Sequence, residues 1–228
     1  MYGMYYWNFD YLIYILPGFL LALYAQSKIK TSFDKYSRIR NREGFSGHSV
    51  AEKILRSHGI YDVSIERVQG SLTDHYDPSR KVLRLSEPVY DSTSIAALGI
   101  SAHEAGHAIQ HHESYAPLRF RNAIVPMAGL GSNLSFFLIF FGLFAFEPLL
   151  KIGIALFSVT VLFQLLTLPV EYNASNRAKA ILADGILTAE EMTGVNQILS
   201  AAALTYVASL LTALGTLLRF LSLGRRRD

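Results

Sequence analysis

Apolar residues gather in four long runs: Tyr11 to Ser27, Ala123 to Phe146, Leu149 to Val170, and Ile198 to Leu218. Each approaches the ~20 residues that a helix needs to cross ~30 Å of hydrocarbon, so the pattern predicts four transmembrane helices. Only Glu147 and Pro148 interrupt the second and third, which predicts a transmembrane hairpin. Between the first and second runs the period changes. Gly47 to His58 puts Val50, Ile54 and Leu55 on one face, the mark of a short amphipathic helix, with Ser46 as its N-cap and Gly59 as its end. Val63 to Val68 and Lys81 to Leu85 alternate apolar and polar residues, with the turn formers Asp77, Pro78 and Ser79 ahead of the second, and predict a small β-hairpin. Ser92 to Gln110 favours helix between Pro88 and Pro117, and a second polar stretch, Glu171 to Asn196, follows the third run.

The expected organisation is a mainly α integral membrane protein: an N-terminal anchor at 1–27, a catalytic region at 28–121, a transmembrane hairpin at 122–170, a polar helical segment at 171–197, and a last span with a basic tail at 198–228. Composition agrees. Of 228 residues, 51% are hydrophobic and 17% charged, with a mean hydropathy of +0.26, too apolar for an ordinary soluble domain. No Lys or Arg precedes the first run, whereas Lys28, Lys30, Lys35, Arg38, Arg40 and Arg42 follow it. That polarity is the reverse of a cleavable signal peptide and places the basic loop, with the catalytic region, in the cytoplasm of a multi-pass cell-membrane protein. Four crossings would carry Arg225, Arg226 and Arg227 to the opposite face, an exception to the same tendency. The net charge of +3 and pI near 9.0 reflect these flanks and suit apposition to a lipid bilayer. No aromatic-interleaved basic stripe is present, so no nucleic-acid partner is expected. Gly129, Gly131, Ser132 and Ser135 suit a close helix contact, between copies or inside the hairpin.

With no cysteine in the chain, disulfides and thiolate metal sites are excluded, and His, Asp and Glu remain as metal ligands. His103, Glu104, Ala105, Gly106 and His107 form an HExxH string inside the predicted helix. Residues four apart share a helix face, so both imidazoles can reach one zinc ion at about 2.0–2.1 Å, with Glu104 one step round as general base. Zinc lowers the pKa of a bound water toward about 7, and a carboxylate beside it can take the proton and pass it to the leaving amine.

The third ligand separates the metallopeptidase classes. The metzincin pattern fails, because Gln110 and Glu113 stand at its Gly and third His positions. His111 lies about a turn too far along the helix to join the pair and is expected, with His112, beside the site or in solvent. Two carboxylates remain. Glu171 ends the third apolar run, and Asp184, followed by Gly185, resembles the Asp-Gly element of intramembrane site-2 proteases. Thr73 to Asp77 form a strand candidate beside the cleft, from which His75 or Tyr76 could reach the developing oxyanion; Arg177 is a comparable candidate for oxyanion or substrate carboxylate.

The strings LTDHYDPSRKVLRLSEPVY, SAHEAGHAIQ and LPVEYNASNRA resemble those of the neutral zinc peptidase family of bacterial membranes, the YugP type, over nearly the whole chain from Ser46. More distantly, HExxH followed by Glu-aromatic-x-Ala is similar to the HtpX group of membrane gluzincins. That likeness implies His103, His107 and Glu171 as ligands, with Glu104 as base, and settles the reaction type alone; one zinc ion per chain and a peptide or membrane-protein substrate are the accompanying expectations. One departure stands out: the HtpX group has an aspartate, which supports a metal-site histidine, where this chain has Ser175, and Asn173 or Asn176 is the expected substitute, with His111 as a further neighbour. The competing readings are a site-2-type protease using Asp184 and a non-catalytic zinc-binding membrane scaffold.

Overall fold

A computed structural model describes residues 3–144 and 146–225, with side chains for 12–144 and 146–224. Its elements run α1 (Gly3–Tyr36), α2 (Gly47–Ser57), β1 (Ser64–Val68), β2 (His75–Asp77), β3 (Val82–Ser86), α3 (Glu87–Tyr90), α4 (Ile95–His112), α5 (Ala116–Phe144), α6 (Glu147–Ala183) and α7 (Ala189–Arg225). Four of these helices are long and apolar enough to cross a membrane, over Leu12–Tyr36, Ala116–Phe144, Glu147–Ala183 and Ala189–Gly224. The helix bearing the histidines, α4, is not one of them. Contacts divide the chain into two compact units.

The first unit holds residues 1–25, 119–169 and 204–228. Its helices approach closely through small residues: a Cβ on Gly131 of α5 would lie 2.9 Å from the Leu156 carbonyl of α6. Of the two expected uses of the small-residue stretch, Gly131 thus serves the contact inside the hairpin. Gly129 faces open space. Phe157 and Phe220, both buried, stack edge-on with Phe136 where α5, α6 and α7 meet. Outward, Phe137, Phe140, Phe141 and Phe144 are exposed, an exterior suited to hydrocarbon. Glu147 and Pro148 belong to the first turn of α6, so those two residues do not break the hairpin, and Phe146 just ahead of them lies outside both helices. Arg226 and Arg227 of the basic tail lie outside the described residues.

The second unit holds residues 26–118 and 170–203. Helix α2 has the expected form: the Ser46 side chain accepts from Ser49 N, the Ser49 hydroxyl accepts from Ser46 N, and Gly59 follows at φ +72°. Its apolar face, Val50, Ile54 and Leu55, is buried. Helix α4 is buried on nearly every side, which its small residues Ala96, Ala97, Gly99, Ala102, Ala105 and Gly106 permit. Ser94 caps it by accepting from Ala97 N, and the segment behind α1 pairs with its entry through Asn41 N to Thr93 O and Ile95 N to Ile39 O. The polar stretch 171–197 forms no element of its own. Its first part continues α6 to Ala183, a turn through Gly185 at φ +82° follows, and the rest opens α7.

The sheet departs from the expected hairpin. Strand order is β1-β3-β2, with β1 parallel to β3 and β2 antiparallel to it. The two alternating segments are therefore neighbours but parallel, and the hairpin is the one between β2 and β3. It is closed by Asp77, whose Oδ1 accepts from Ser79 N and Arg80 N. Alternation marks a strand without naming its partner, and a strand of three residues is too short to alternate. Central β3 is buried along its length except at Arg84, and both neighbours are edges.

Candidate metal centre

Three side chains converge in the second unit. His103 Nε2 lies 3.3 Å from Glu171 Oε2, His107 Nε2 lies 3.6 Å from the same oxygen, and the three ligand atoms fall within 4.8 Å of one another. Helix geometry supplies the first two, since both histidines stand on one face of α4 with rings edge-on and centroids 4.8 Å apart. The third comes from α6, 64 residues beyond His107 in sequence, and is buried. Gly106 makes the meeting possible: a Cβ there would sit 2.8 Å from the Ala174 carbonyl, so α4 and α6 touch backbone to backbone between the ligands. The donor set fits zinc. Ligand atoms about 2.0–2.1 Å from a tetrahedral ion lie about 3.3–3.4 Å from each other, close to the separations found around Glu171 Oε2.

The far ring nitrogens are also held. Ser175 Oγ lies 3.1 Å from His103 Nδ1, and Gln110 Oε1 lies 3.0 Å from His107 Nδ1. Of Asn173, Ser175 and Asn176, it is Ser175 that lies within hydrogen-bond reach of His103. A hydroxyl suffices because helix α6 brings it within reach. Asn176 is exposed and takes no part in the site's hydrogen bonds. Asn173 acts one step back: its Oδ1 accepts from Gln110 Nε2 at 2.9 Å and from Arg177 Nε at 2.8 Å. Gln110 was visible in the sequence only as a departure from the metzincin pattern, and no local signal announced its role. Burial works to lower the His107 pKa, but the hydrogen bond to Glu171 and the charge of Glu104 outweigh it and hold the imidazole above its usual value.

Glu104 is nearly buried, and among the described residues no hydrogen bond or ion pair holds its carboxylate. Asp74 feels its charge, and Tyr76 Oη lies 2.8 Å from His111 Nδ1, so β2 runs beside α4 from Glu104 toward His111. Burial, followed by the charges of Asp62 and Asp77, pushes the Tyr76 phenol up to about 12. His111 is thus engaged by Tyr76 and not by the ligand group. His75 points to the sheet's other face, where its ring meets the Thr73 carbonyl at 2.8 Å and Arg84 at 3.3 Å. Arg177 pairs with Glu113 at 2.6 Å, tying α6 to the C-cap of α4 and depressing the Glu113 pKa. Asp184 is exposed in the turn after α6, about 20 Å along the helix direction from Glu171, and does not join the histidines.

Comparison with known proteins adds two findings. Residues 11–225 match the model of a family described as "Putative neutral zinc metallopeptidase". The chain is also 50% identical over 202 residues, 88% of its own length and 90% of the relative's, to "Putative membrane protease YugP" of Bacillus subtilis (strain 168). No solved structure matches.

Proposed function

The chain belongs to the neutral zinc metallopeptidase family, and from that membership we propose that it is a membrane-embedded, zinc-dependent endopeptidase of the gluzincin type, with one ion per chain held by His103, His107 and Glu171. The observation that carries this reading is the convergence of two imidazole nitrogens and a buried carboxylate from two helices. Bound there, zinc would polarise a peptide carbonyl and acidify a water. Glu104, next to the candidate ligands and with no hydrogen bond or ion pair on its carboxylate among the described residues, would take the proton of an activated water and deliver it to the departing amine. Ser175 and Gln110 keep the imidazoles turned toward the ion. The outer edge of β2 supports docking of an extended peptide by strand addition, with Tyr76, a neutral phenol at physiological pH, the better oxyanion donor of the two expected candidates because its side chain lies on the α4 side of the strand, against His111, whereas His75 faces the other side. Arg177, paired with Glu113, belongs to the scaffold instead. The substrate is a peptide or a membrane protein, and the positive-inside tendency supports a cytoplasmic cleft.

Two alternatives weaken. A site-2-type enzyme would need Asp184, exposed and remote from the histidines, and a membrane-crossing α4. A structural zinc site gains nothing from Glu104 beside an open position. In detergent, Glu104→Gln should retain zinc and lose cleavage of an unfolded casein-like substrate, while full residual activity, with contaminants excluded, would remove the mechanism. Glu171→Ala should lose zinc and activity together and Asp184→Ala should keep stoichiometric zinc; the reverse pattern transfers the chain to the rival class.

A further inference from the structure

Gln110 is fully buried on α4, three residues past His107, and all of its polar atoms are satisfied. Its Nε2 lies 2.8 Å from the Val170 carbonyl and 2.9 Å from Asn173 Oδ1, and its Oε1 lies 3.0 Å from His107 Nδ1. The polarity of this network is forced at both ends. A backbone carbonyl only accepts, so the Gln110 atom facing Val170 is the NH2. A guanidinium only donates, so the Asn173 atom 2.8 Å from Arg177 Nε is the oxygen, which also receives the second Gln110 proton. Glu113 holds Arg177 in turn. With both amide protons engaged, only the carbonyl oxygen of Gln110 is left for His107. It accepts, so Nδ1 always carries a proton, and in the neutral ring that a metal ion requires it is Nε2, on the side of Glu171, that gives up its proton and offers the lone pair. Nothing comparable acts at His103, where the Ser175 hydroxyl can donate or accept.

We propose that Gln110 is a positioning residue that locks His107 in its Nδ1–H tautomer and thereby sets the affinity of the centre for a metal ion, whereas Ser175 leaves the tautomer of His103 free. The proposal rests on the reading of His103, His107 and Glu171 as ligands. A buried amide is tolerated between α4 and α6 only because each of its atoms is bonded.

The test uses the full chain in detergent, stripped of metal and titrated with zinc against a chromophoric chelator. Gln110→Leu, similar in volume but unable to accept, should bind zinc about 10–100-fold more weakly, the usual effect of removing a group that orients a metal ligand. Ser175→Ala should lose less. Wild-type affinity in Gln110→Leu, or an equal loss in Ser175→Ala, overturns the proposal. His103→Ala and Glu171→Ala separate the two levels: if both bind zinc normally the centre itself is misread, and if both lose zinc while Gln110→Leu does not, only the positioning role fails. Should Gln110→Leu not fold, wild-type protein loaded with isotopically labelled cadmium decides by NMR. Metal coupling to His107 Nε2 with a slowly exchanging Nδ1 proton is expected, and coupling through Nδ1 overturns the proposal.

Discussion

Asp74, just ahead of β2, turns its carboxylate onto the far end of β3, where Ser86 N donates at 2.7 Å and Ser86 Oγ lies 2.9 Å from the second oxygen. Burial raises its pKa, the Ser86 hydrogen bonds oppose the rise, and the nearby Glu104 charge adds to it. An acid whose folded pKa exceeds its unfolded value binds more protons when folded, so its stabilising contribution is present below the ordinary value of 3.8 and is lost as pH rises through the raised one. At neutral pH the ionised group is a cost. Asp74→Asn, which keeps the acceptor for Ser86 N, should therefore match or exceed wild-type thermal stability at pH 7, with the difference shrinking or reversing as pH approaches 4. Melting curves across that range check it, and a variant less stable at pH 7 than at pH 4 relative to wild type would contradict it. The same residue scale limits what a sequence reveals. Asp74, Gln110 and Ser175 are ordinary polar residues until folding places Ser86 against the first and the imidazoles of His107 and His103 against the others, partners that lie 12, 3 and 72 residues away.

At the scale of elements, the contact of α4 with α6 is where geometry becomes chemistry. Gly99 and Gly106 lie on the same helix but meet different surroundings: a Cβ on Gly99 would find Val195 Cγ1 at 3.5 Å, an ordinary contact, whereas on Gly106 it would press on a backbone carbonyl at 2.8 Å. Ala in place of Gly is worth up to about 1 kcal/mol of helix propensity, and overpacking costs about 1–3 kcal/mol. Gly99→Ala should thus be neutral or stabilising. Gly106→Ala should lower the melting temperature and, by moving Glu171 away from the histidines, weaken zinc by about tenfold or more. Equal zinc affinities in the two variants would show that the close approach is not what assembles the centre. Element boundaries follow the same logic. Helix α2 was legible because its cap, apolar face and terminating glycine are local, while the parallel pairing of β1 with β3 was not, since it depends on β2 filling the opposite edge.

For the molecule as a whole, the four apolar helices and the basic residues after the first make an orientation testable. Under the cytoplasmic reading, a cysteine replacing Ser46 in this cysteine-free chain should resist an impermeant thiol reagent in intact cells, and one replacing Phe146, exposed at the break between α5 and α6, should react. Labelling at position 46 with protection at 146 would invert the protein in the membrane. The result bears on which substrates can reach the centre.

The sequence by itself determined what depends on neighbours along the chain. A run of about 20 apolar residues spans hydrocarbon whatever it later packs against, and two histidines four apart share a helix face once the helix forms. Hence the four candidate spans, the two histidines on one helix face and the glutamate beside them were all readable from spacing. Tertiary structure alone decided what depends on distance through space. It chose Glu171 over Asp184 for the neighbourhood of the histidines, put Ser175 behind one and Gln110 behind the other, and turned His75 to the opposite face of its strand from Tyr76. The physical reason is that these three side chains converge only where two helices touch backbone to backbone at Gly106, and the closeness of that contact is a property of both helices at once.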